Sequence, residues 1–189
     1  MPWTESELYR FLRFGYSRLH GVAAGPMAPV VQELADLPDA DVRAMAHYLA
    51  SFSPSVSDAQ AHAGARAALV AGQAAGVEAG AAQRMFTFAC GACHHDGDGP
   101  RLLGVNTPLA LNTNLQSERP DNLLRVVLEG MRDPAGREIG FMPAFGDALD
   151  DRQIAELAAY MRQRYAPGKP PWRDLEREVA RVRREPTNP

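Results

Sequence analysis

"TFACGACHHD", residues 87–96, contains both cysteines of the chain, three apart and followed at once by two histidines. A dithiol at this spacing has four ordinary uses: a disulfide, a zinc knuckle, a redox pair or a cofactor anchor. A disulfide across two residues closes a very small loop and constrains the unfolded chain little. A structural zinc ion takes four ligands, usually from two separated pairs. Cys93, His94 and His95 are consecutive and poorly placed to complete a tetrahedron. A thioredoxin-like pair belongs beside a βαβ pattern, and no strand signal leads into Cys90. Cys90-Gly91-Ala92-Cys93-His94 does satisfy C-x-x-C-H, the attachment signature of c-type haem. Two thiols add to the two vinyl groups of one porphyrin, and the next histidine reaches the iron from below.

Composition narrows the field. The chain has 189 residues, a formal net charge of −3 and mixed acids and bases. It has no basic stripe, so nucleic acid is not an expected partner. No apolar run reaches membrane-span length. The N-terminus "MPWTESELYRFLRFGY" is amphipathic and shows no signal segment.

Periodicity is helical almost throughout, with few β-branched runs. Thr4 and Glu7 fit a capping box before "LYRFL". "LPDADVRAMAHYLASF" starts at Pro38-Asp39 and carries Val42, Met45, Ala46 and Leu49 at helical spacing. "RPDNLLRVVLEGM" has Pro120 near its first turn and Gly130 near its end. In "LDDRQIAELAAYMRQRYA", Ile154, Leu157, Ala158 and Met161 form one stripe, with Asp150 and Gln153 as a capping box. "HHDGDGPRLLGVNTPLALNTN" has no periodicity, as expected of a loop that wraps something. The resulting division is 1–53, an Ala/Ser-rich linker at 54–74, a main domain at 75–166, and a charged helical tail at 167–189 laid over the body.

The two larger units are related. "LYRFLRFG" (8–15) aligns with "LLRVVLEG" (123–130), and Gly25-Pro26-Met27 with Gly140-Phe141-Met142. After a three-residue length difference, Val42, Ala46, Tyr48 and Leu49 fall on Ile154, Ala158, Tyr160 and Met161. Three matches in order indicate duplication. The earlier copy spans only the second half of the unit, so the chain is expected to begin inside a preceding domain of the same kind.

A haem iron that only moves electrons takes a second protein ligand, commonly a methionine thioether, which raises the potential. Among seven methionines, Met45, Met85 and Met161 lie on helical stripes and are expected in the core. Met142 lies in the irregular stretch "EIGFMPAFGDAL", where Pro143 holds the chain extended. His94 and Met142 are therefore the expected iron ligands, and Met27 is the repeat-mate of Met142. The carbonyl of Pro108 is the expected acceptor for the other ring N–H of His94. Phe86, Leu102, Leu109, Leu128, Phe145, Leu157 and Met161 are expected to wall the pocket. His20, His47, His62 and His95 are read as surface or helix-face residues.

With CxxCH, the proline loop, "MPAF" and "AELAAYMR" in order, residues 75 to 166 resemble a class I cytochrome c domain. "PLALNTNLQSERPDNLLRVVLEG" and "MPAFGDALDDRQIAELAAYMRQRYAPGKPPW" further resemble the last domain of multi-haem cytochrome c subunits of bacterial periplasmic dehydrogenases. Those enzymes include molybdenum hydroxylases and alcohol or gluconate dehydrogenases. The resemblance implies an all-α class I cytochrome c fold around one covalent haem c, bound through Cys90, Cys93, His94, Pro108 and Met142. Residues 1–53 would be a partial, C-terminal-half cytochrome c-like segment. It implies one-electron transfer without bond chemistry, from a periplasmic dehydrogenase catalytic subunit toward a respiratory acceptor. Periplasmic placement follows, with any membrane association through a missing or separate anchor. A haem sensor or peroxidase-like enzyme with a labile sixth ligand is the alternative.

Overall fold

A computed structural model describes residues 1–77, 80–95, 108–131 and 140–185. Helix α1 (Glu5–Phe14) starts where the Thr4 side chain accepts a hydrogen bond from the Glu7 amide. The capping box is only half made. The Glu7 carboxylate accepts instead from Ser17 Oγ at 2.6 Å and the Arg18 amide at 2.9 Å. It thereby ties α1 to a short antiparallel hairpin, β1 (Tyr16–Ser17) and β2 (Gly21–Val22). Helices α2 (Met27–Leu34) and α3 (Asp39–Ala50) complete the first unit. The α3 helix packs on α1 through Val42, Ala46 and Leu12.

The Ala/Ser-rich stretch assigned to the linker contains α4 (Asp58–Ala74), a 17-residue helix with a complete Ser57/Gln60 capping box. Ala61 and Ala65 pack between Leu19 of the hairpin and Leu111. A Cβ on Gly72 would lie 3.2 Å from that of Ala110. Small side chains let this helix nest closely between the two units. The same lack of large apolar residues makes the sequence read as a tether.

Helix α5 (Ala81–Ala89) leads into the cysteines. A 3₁₀ turn, η1 (Leu109–Leu111), and α6 (Thr113–Gln116) precede α7 (Asp121–Glu129), α8 (Asp151–Tyr165) and α9 (Leu175–Arg184). The Asp150/Gln153 capping box of α8 forms as expected. One core joins these elements. Phe86 of α5 meets Tyr160 and Tyr165 of α8 at 5.5 and 5.6 Å between ring centroids. Leu115, Leu124, Ile154 and Leu157 are fully buried beside them. Removal of a Leu or Ile of this kind from water contributes about 1.5–3 kcal/mol. The tail helix α9 seals the far side with Val179 and Val182, both buried.

The two copies of the repeat differ in what covers them. Val42 and Ala46 are as buried as Ile154 and Ala158. The outer half of the stripe is not. Met161 is buried on α8, whereas Met45 is 38 % exposed, Tyr48 64 % and Phe52 71 %. Among the described residues, no helix lies on α3 as α5 lies on α8. The expected core role of Met45 is therefore corrected: the helical spacing is right, but the face has no cover.

His20 is also corrected. It is 5 % exposed, not a surface residue. Its ring stacks on Trp3 at 3.8 Å, and its carbonyl accepts from the Thr113 amide at 3.0 Å across to the second unit. Burial, then the positive N-terminus, lower its pKa from 6.5 to about 4. The folded chain thus keeps His20 neutral where the unfolded chain protonates it. The stability it supports is complete above about pH 6.5 and declines as pH falls toward 4. Urea unfolding at several pH values across that window is expected to show it, and His20→Gln is expected to flatten it.

Candidate functional site

The CxxCH segment folds as a single turn at the end of α5. The amides of Cys90 and Gly91 both donate to the Phe86 carbonyl at 2.8 Å, and those of Cys93 and His94 to the Cys90 carbonyl at 3.1 and 2.9 Å. The α5 helix thus supplies a rigid base, and Phe86 fixes it on α8. Cys90 and Cys93 are half-buried and not joined in a disulfide. Burial, then the neighbouring Cys93, push the Cys90 thiol up to about 11. Both sulfurs are reduced and presented from one turn, as addition to two vinyl groups of one ring requires.

His94 is partly buried on the same turn. Burial, then the adjacent His95, lower its pKa, so the neutral imidazole that a metal needs is favoured. Its Nδ1 is buried and makes no hydrogen bond in the structure. An orphaned buried ring nitrogen is costly and calls for a partner. The Pro108 carbonyl, the expected acceptor, takes the Leu111 amide at 2.9 Å instead. It begins η1 and retains a second lone pair.

Met142 packs against the same core. Its backbone forms an antiparallel bridge with Met131, with N···O distances of 2.8 and 3.0 Å. The amides of Phe145 and Gly146 then donate to the Val127 and Leu128 carbonyls, both at 3.0 Å. These are C-terminal carbonyls of α7 that have no partner within the helix. The loop thus lies on the end of α7. Cys90, Met142 and Phe145 all pack against the core cluster that contains Phe86, Leu109, Leu128, Leu157 and Met161. Leu102, also expected in the wall, lies outside the described residues, as do residues 96–107 of the long loop.

Gly130 is a site residue that the sequence pattern marks only as a helix end. Its φ of 72° and ψ of −163° fall in a region open essentially to glycine alone. A Cβ there would lie 2.5–2.7 Å from Met142 O, Ala144 N and Pro143 C. Its position one residue beyond "LLRVVLE" is the available signal. The close approach of the methionine loop is not encoded locally.

The parts fit a covalent c-type haem: two reduced thiols on one turn, a neutral histidine with a free second nitrogen, and a thioether on a pinned loop facing the same apolar core. A cluster of three or more His, Cys, Asp or Glu side chains suited to a metal ion is absent among the described residues. In the same residues, no helix is long and apolar enough to cross a membrane.

Comparison with known proteins agrees. Residues 77–161 match the family model described as cytochrome c oxidase, cbb3-type, subunit III. A nicotinate dehydrogenase subunit of Pseudomonas putida is 50 % identical over 189 residues, covering 98 % of this chain and 15 % of that protein. The fructose dehydrogenase cytochrome subunit of Gluconobacter japonicus is 31 % identical, covering 84 % of this chain and 36 % of the relative. The gluconate 2-dehydrogenase cytochrome c subunit of Pantoea cypripedii is 32 % identical, covering 88 % and 38 %. The chain therefore spans well under half the length of each of these relatives.

Proposed function

We infer one-electron transfer as the work of this chain, because residues 77–161 belong to the cytochrome c family and bind haem c covalently. The observation that carries the reading is the convergence of the CxxCH turn and the Met142 loop on one apolar core. When bound, the haem iron supplies reversible one-electron exchange. The residues do the rest. Cys90 and Cys93 would hold the ring through two thioethers, each formed by addition of S–H across a vinyl group with no net oxidation. His94 would ligate the iron, and its Nδ1–H would gain the Pro108 carbonyl as acceptor in the loaded protein. Met142 would supply the second protein ligand to the iron. Phe86, Leu109, Leu128, Leu157 and Met161 keep water out, and their low polarity favours the reduced iron, which carries less charge.

The chain is an electron carrier rather than a catalyst. The relatives are named as subunits of dehydrogenases, and we assign this chain the same setting. It takes electrons from a dehydrogenase catalytic subunit in the periplasm and passes them toward a respiratory acceptor. Residues 1–53 are proposed to be a cytochrome c-like half-domain with Met27 in the place of Met142. The uncovered α3 face at Met45, Tyr48 and Phe52 supports this, since α5 covers its counterpart on α8.

The test is spectroscopic, on the full chain expressed with cytochrome c maturation. Covalent haem is expected after denaturing electrophoresis. A low-spin reduced spectrum and a weak methionine-to-iron band in the oxidised state are also expected. Met142→Ala is expected to retain the haem, lose that band and lower the potential on the order of 0.1–0.3 V, within the roughly 0.8 V range that axial ligands span. A high-spin native protein that takes up carbon monoxide readily would sink the reading.

A further inference from the structure

From Gly140 to the start of α8, the stretch that carries Met142 has no helix of its own, only the bridge of Met142 to Met131. Its inner side is bonded to α7 through Phe145 and Gly146. Its outer side meets one guanidinium from the tail helix. Arg183 of α9 donates through Nη1 to the Gly146 carbonyl and through Nη2 to the Leu149 carbonyl at 3.0 Å. Its Nε donates to the Asp151 carboxylate at 2.7 Å, in the first turn of α8. Gly146 is therefore bonded through both of its backbone groups, its amide to α7 and its carbonyl to α9.

Arg183 is one of several anchors of α9. Val179 and Val182 dock it in the core, and Arg181 pairs with Asp121 at the start of α7. With the helix already docked, the Arg183 fork acts on the loop. Three donors in one rigid plane bind two carbonyls and a carboxylate, which a single ammonium point cannot do.

We propose that Arg183 is a positioning residue for the Met142 ligand: the tail helix braces the methionine loop from outside and so sets how readily the sixth position opens. The inference rests on methionine ligation as assigned above. A loop with this brace keeps the thioether close to the iron; a loosened loop leaves it more often and yields to an external ligand.

The full haem-loaded chain is titrated with imidazole, which competes with Met142. Arg183→Gln keeps the side chain polar and is expected to raise the apparent imidazole affinity about tenfold, as loss of charge-assisted hydrogen bonds predicts. Arg183→Lys should fall between. Arg184→Gln, on the exposed side of the same helix, should match the native protein. Hydrogen exchange at the Met142, Phe145 and Gly146 amides should quicken in Arg183→Gln. A methionine-ligated native chain whose Arg183→Gln variant binds imidazole unchanged overturns the inference alone. So does an equal change in Arg184→Gln. A native chain without methionine ligation overturns the electron-transfer reading and this inference with it.

Discussion

Replacing Cys90 and Cys93 together with serine is expected to abolish covalent haem completely, with the helical fold retained. Both sulfurs leave one turn whose backbone bonds run from Phe86 to His94. Their loss removes the attachment chemistry and leaves the backbone bonds of that turn in place. Serine is close to cysteine in size, and both positions are half-buried, so packing around Phe86 should survive. Denaturing electrophoresis with haem staining reads attachment, and far-UV circular dichroism reads the fold. Each single variant should retain one thioether and stain more weakly. Stain at native intensity in the double variant would contradict the role assigned to these residues.

Gly130→Ala is expected to be the most damaging single methyl group in the domain. The added Cβ meets three backbone atoms of the methionine loop at 2.5–2.7 Å. Backbone cannot swing aside as a side-chain tip can. The conformation itself, with φ at 72° and ψ at −163°, costs a non-glycine residue about 1–3 kcal/mol before any clash. The least costly relief is to break the Met131–Met142 bridge and displace the loop. Haem should therefore remain attached through Cys90 and Cys93, while the methionine-to-iron band disappears and the potential falls, as in Met142→Ala. Stability should also drop by about 3 kcal/mol, the sum of strain and lost loop bonds. Met142→Ala should leave the loop backbone in place. Amide exchange at Phe145 and Gly146 separates the two: fast in Gly130→Ala, near native in Met142→Ala.

The repeat shows why burial is harder to read than helix type. Met45 and Tyr48 carry the same spacing as Leu157 and Tyr160, and both helices form. Periodicity says which side of a helix is apolar. It does not say whether a neighbour arrives to cover that side, which depends on segments far away in sequence. The α4 helix makes the converse point. Alanines and glycines without large apolar partners look like a tether, but close packing between Leu19 and Leu111 uses small residues to bring backbones together. His20 is hard to place for a related reason. Its sequence neighbours are ordinary, and its burial comes from Trp3 on one side and Thr113 on the other.

The sequence by itself determined the chemistry of this protein. Cys90, Cys93 and His94 lie within one turn, and a proline beside Met142 marks the loop that presents it, so covalent attachment and both expected ligands follow from local spacing. The helices are legible for the same reason, since caps and apolar stripes act within four residues. Tertiary structure alone decided how the Met142 loop is held. Gly130 lies against the methionine loop, Met131 pairs with Met142, and Arg183 reaches back from α9 across more than thirty residues of chain. Such contacts depend on where folded elements meet, and no local preference along the chain specifies that.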